Sequence, residues 1–79
     1  MSDVLEQRVR EVVAATFGVP ADAVTTATGT DSVEGWDSMN HLHLVVALEG
    51  EFGVSFEPEV AVELTSVRAI VEAIRRAQR

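Results

Sequence analysis

Apolar residues recur at helical spacing in three separate stretches of this 79-residue chain. Leu5, Val9, Val12, Val13 and Phe17 predict a helix from about Val4 to Phe17. Asp3 and Glu6 suit a capping box at its start, and Gly18 and Pro20 suit its end. A second run predicts a helix from Asp37 or Ser38 to near Gly53. A third, Val67, Ile70, Val71 and Ile74, follows the capping pair Thr65-Ser66. Residues 58–63 predict one or two further turns. Residues 19–36, rich in Thr, Asp, Ala and Gly, form a connection long enough that it should either pack or function. The expectation is an all-α bundle of three main helices and one short one with a long first loop, in a single domain over residues 1–79.

The second helix carries two apolar faces. At about 100° per residue, Leu44, Val45, Leu48 and Phe52 fall on one side and Met39, Leu42 and Val46 roughly opposite. Both stripes cannot face one core. The second is expected to stay partly exposed beside His43, Glu49 and Gly50, as a docking surface, unless the segment near Pro58 covers it. Gly50 costs about 1 kcal/mol relative to alanine inside a helix. Fraying near the helix end is one account, and close approach of a partner helix is the other.

Charge narrows the choice of partner. The net charge is −7, and the only basic residues are Arg8, Arg10, Arg68, Arg75, Arg76 and Arg79. The chain between Arg10 and Arg68 is therefore acidic throughout, a field that repels nucleic acid and attracts basic protein patches, although charge also serves solubility alone. No cysteine is present, so neither a disulfide nor a Cys-bound zinc can staple the fold. A chain this short is not expected to build both a core and a deep catalytic pocket. The longest aliphatic run is residues 44–48, and no signal peptide is read at residues 1–10. A cytoplasmic monomer without membrane contact is expected.

The chemistry gathers at Gly35-Trp36-Asp37-Ser38-Met39. Asp37 suits the helix cap, and Ser38 then occupies the first turn with its hydroxyl toward solvent. Ser38 and His41, three apart, invite a hydrolase reading, but no third group orients the histidine and nothing surrounds a substrate. His41 and His43 lie about 200° apart around the helix and cannot share a metal. His41 is expected to border the core stripe, and His43 to lie on the docking face, where its protonation would tune association. Ser32, in Asp31-Ser32-Val33, is a second candidate serine, but the apolar run starts only after Trp36, so Ser32 belongs to the loop. Trp36 is expected to pack the loop on the core with its indole edge partly wet, or else to flank whatever Ser38 carries.

The Asp37-Ser38-Met39 triplet, the two-faced helix after it and the order of long helix, long loop, long helix, short turn and long helix resemble the acyl carrier proteins over residues 4–77. The resemblance implies a covalent 4′-phosphopantetheine, derived from coenzyme A, on Ser38 beside Asp37. A phosphodiester there would lie at the positive end of a helix, where anions are stabilised. An unactivated serine would need a phosphopantetheinyl transferase to supply the base and the metal. The implied function is that of a discrete acyl carrier that holds intermediates as thioesters and raises their effective concentration at partner active sites without catalysis of its own.

The resemblance also assigns partner recognition to Met39, Leu42, His43, Val46, Glu49 and Gly50. The partners it implies are acyl-loading, ketosynthase or acyltransferase-type enzymes with basic patches. His43 and Gly50 stand where carriers of fatty acid synthesis usually show acids, which points to polyketide or other specialised biosynthesis. Two alternatives remain: a free-standing aminoacyl or peptidyl carrier, and an unmodified acidic helical adaptor of the same fold.

Overall fold

Three long helices form where the apolar periodicities fall. The computed structural model describes residues 4–31, 33 and 35–78, so Asp3 of the expected capping box and the second candidate serine, Ser32, lie outside the described residues. Helix α1 spans Val4–Phe17, α2 Ser38–Phe52, α3 Pro58–Ala61 and α4 Val67–Ala77. Two glycines end the first two. Gly18 follows α1 at φ 68° and Gly53 follows α2 at φ 65°, a left-handed backbone that glycine adopts without the steric cost of a Cβ. In both cases the next amide closes the end: Val19 N–H donates to Ala14 O at 3.0 Å and Val54 N–H to Glu49 O at 3.2 Å.

Helix α1 packs against both α2 and α4. Val9 and Val13 of α1, Leu44 and Leu48 of α2, and Val67, Ile70 and Ile74 of α4 are completely buried in one cluster. Burial of each such side chain contributes roughly 1.5–3 kcal/mol. The other stripe of α2 stays outside: Met39, Leu42 and Val46 are 67%, 62% and 61% exposed, so α3 does not cover them. At the rim, Arg8 of α1 bonds Glu51 Oε1 at 3.1 Å and lies 4.7 Å over the Phe52 ring. Both ionic groups are about half exposed, so the pair adds at most about 1 kcal/mol.

The long connection packs. After Pro20 it makes a single 3₁₀ turn, Ala21–Ala23, and buries Val24. Thr28 N–H donates to Thr25 O at 3.0 Å, while the buried Thr28 hydroxyl accepts Thr25 N–H at 2.8 Å, which leaves that polar group partnered. The same turn then serves α4. The first amides of a helix have no intrahelical acceptor. Here Thr28 O accepts Val67 N–H at 2.9 Å, Thr26 O accepts Arg68 N–H at 3.1 Å, and Ser66 Oγ accepts Ala69 N–H at 3.2 Å. Gly29 pairs with Ser66 in an antiparallel bridge, and Thr30 N–H donates to Thr65 O at 3.0 Å. The loop is thereby fixed to the start of α4, and its other end delivers Trp36 and Asp37 to the start of α2.

Candidate functional site at the start of α2

Asp37 caps α2 from an extended backbone at φ −98°, ψ −177°. Its Oδ1 accepts Asn40 N–H at 2.9 Å, and its carbonyl accepts His41 N–H at 2.8 Å. Asn40 answers by donating its side-chain amide to Gly35 O at 2.7 Å. This is a capping box in altered form, because the return bond goes to a loop carbonyl instead of the cap's own amide. Asn40 was not singled out from sequence, although a polar residue three positions after the cap is the signal for it. Ser38 is the first helical residue and is exposed, and its hydroxyl has no hydrogen-bond partner among the described residues.

Trp36 departs from expectation in one respect. It packs the loop on the core as anticipated, with its ring 4.9 Å from Phe17 and only 7% of its surface exposed. The indole edge is not wet, however: Nε1–H donates to His41 Nδ1 at 2.9 Å. The other imidazole nitrogen, Nε2, lies 2.8 Å from Ala61 O at the end of α3. An indole N–H only donates and a carbonyl oxygen only accepts, so His41 is neutral with its proton on Nε2. Neither nitrogen has a lone pair left for the Ser38 hydroxyl. The Ser38–His41 pair is therefore not a nucleophile and base.

An open groove of about 700 Å³ runs from Ser38 between α2 and α3. Trp36, His41, Leu42 and Val45 line it together with Pro58, Ala61 and Val62, and Thr30 and Thr65 complete the lining. Its walls are mainly apolar and unbranched by charge apart from Asp37. Nothing in local sequence pattern links Thr30, Val62 and Ser38, since the groove arises only when the loop and α3 close on α2. A second depression of about 350 Å³, between α3 and α4, contains no α2 residue.

The candidate docking residues share the outer face of α2. Met39, Leu42, His43, Val46 and Gly50 are all exposed along it. A Cβ at Gly50 would meet nothing within 4 Å among the described residues, so no contact with them requires a glycine there. Glu49 differs from the rest: it is half-buried and its Oε2 accepts Phe56 N–H at 2.8 Å, which ties the segment after α2 back to the helix. Among the described residues no helix is long and apolar enough to cross a membrane. A family model described as the phosphopantetheine attachment site matches residues 7–74, from within α1 to the last buried residue of α4.

Proposed function

The chain belongs to the phosphopantetheine attachment-site family, and on that premise we propose that it is an acyl carrier whose arm is attached at Ser38. A member of this family is a carrier that bears covalent 4′-phosphopantetheine and is not itself a catalyst. When bound, the group supplies a terminal thiol on which acyl cargo is held as a thioester. The remaining chemistry is that of the chain's own residues.

The observation that carries the Ser38 assignment is an exposed, unpartnered hydroxyl at the first position of α2. Asp37 spends its carboxylate on the Asn40 amide, which leaves the Ser38 and Met39 amides at the positive helix end without partners among the described residues. Such amides suit a phosphodiester on Ser38 Oγ. The proton of that hydroxyl must go to a base on the transferase, because both His41 nitrogens are engaged.

The apolar groove that starts at Ser38 favours an acyl cargo over a charged aminoacyl one. The exposed stripe of Met39, Leu42 and Val46, with Glu49 at its side, suits an enzyme surface that combines an apolar patch with basic residues. His43 and Gly50, both exposed on that stripe, favour polyketide or other specialised biosynthesis over primary fatty acid synthesis.

Intact mass spectrometry tests the assignment, after incubation with coenzyme A, magnesium and a broad-specificity phosphopantetheinyl transferase. One added phosphopantetheine on the wild type, and none on a folded Ser38→Ala variant, is the expected result. Addition to Ser38→Ala would move the site elsewhere. A folded wild type that stays unmodified beside a loaded control carrier would favour the unmodified adaptor.

A further inference from the structure

Helix α3 is too short to hold itself. It has four residues, none of them buried, and it lies outside the main helix contacts, which join α1 to α2 and α1 to α4. A helix of one turn is far below the length that is stable alone in water. Its place must be set by contacts beyond its own ladder. Val60 and Ala61 supply partial burial. The side-chain hydrogen bond from α2 to α3 comes from His41, whose Nε2 meets the Ala61 carbonyl at 2.8 Å. That carbonyl, in the last turn of α3, also accepts Leu64 N–H at 3.3 Å, and its second lone pair serves the imidazole.

The same imidazole accepts the Trp36 indole N–H. One ring therefore joins the loop before Ser38, the helix that Ser38 opens and the helix across the groove. We propose that His41 is a positioning residue for the Ser38 groove: as the neutral Nε2–H tautomer it clasps Trp36 to Ala61 and thereby sets how far α3 stands from α2. The groove wall that an attached apolar chain meets then depends on this side chain as well as on the partial burial of Val60 and Ala61. The role rests on Ser38 as the attachment point, and it deepens that reading by naming the residue that shapes the space beside it.

Glutamine can imitate the clasp, since its side-chain oxygen accepts from the indole and its amide donates to the carbonyl. Phenylalanine fills similar space and does neither. Three readouts test the idea on the whole chain: the ¹⁵N shifts of the His41 ring, the Trp36 indole N–H resonance, and amide hydrogen exchange. The wild-type ring is expected to show a protonated Nε2 and an unprotonated Nδ1. His41→Phe is expected to speed exchange of the Ala61, Val62 and Leu64 amides about tenfold while the α1 and α4 core amides stay protected. His41→Gln is expected to restore most of that protection and to keep the indole resonance near its wild-type position.

A wild-type ring protonated at Nδ1 overturns the proposal, even if both variants fail to fold. So does α3 exchange that is equal in wild type and His41→Phe, or Gln and Phe variants that perturb α3 alike. Loading is scored separately on the wild type. Failure there removes Ser38 as the attachment point, and the exchange data still decide the clasp.

Discussion

Gly29 lies against Thr65 so closely that a Cβ on the glycine would overlap the Thr65 carbonyl oxygen. The backbone of Gly29 is not left-handed, so the requirement is one of space. This contact seals the long loop to the start of α4. Gly29→Ala is expected to cost about 1–3 kcal/mol, as overpacking of a tight contact does, measured by urea denaturation. Unchanged stability would show that the loop shifts freely and is not docked by this contact.

Asp37 contributes to α2 through one side-chain bond to Asn40 N–H. Asp37→Ala is expected to lose about 1 kcal/mol, and Asp37→Asn, which keeps an acceptor oxygen, to lose much less. Chemical denaturation of both variants separates the cap from the charge. Equal losses would mean that charge at the helix end matters more than the bond.

Gly50 sits on an exposed turn of α2, and no described residue comes within 4 Å of the place its side chain would take. Gly50→Ala is therefore expected to raise stability by about 0.5–1 kcal/mol, seen as a higher melting temperature. A loss of stability would reveal strain at this turn that its surroundings do not show. Partner transfer measured on the same variant reports whether an approaching enzyme needs the gap.

Leu42 and Val46 are expected to act outside the fold. Leu42→Asp and Val46→Asp should retain the wild-type circular dichroism spectrum, while acyl transfer from a partner enzyme slows about tenfold or more. Unfolding of either variant would place the second stripe in the core and remove it from docking.

The helices were legible because their signals are local. Leu44, Val45, Leu48 and Phe52 repeat along one face, and all four are buried. Gly18 and Gly53 mark stops that need no distant partner. The division of α2 into an inner and an outer stripe was legible for the same reason. The groove was not, because it depends on the Gly29–Ser66 bridge and on the His41–Ala61 bond, which join segments far apart in sequence. Trp36 shows the limit within a single motif. Its burial followed from its apolar bulk, but the partner of its N–H depended on which way His41 turns once α3 is in place.

The carbonyls of Thr26 and Thr28 hold the first amides of α4, so the loop before Ser38 is completed by residues made much later in translation. Closing so distant a contact waits on the whole intervening segment, from Thr26 through Arg68. The serine is therefore presented in its native setting only when the chain reaches through the start of α4, and a transferase that reads the folded site modifies chains that include α4 in preference to shorter ones. Chains stopped before Val67 are expected to take up no arm, whereas efficient loading of such truncated chains would show that the transferase needs only the local sequence around Ser38.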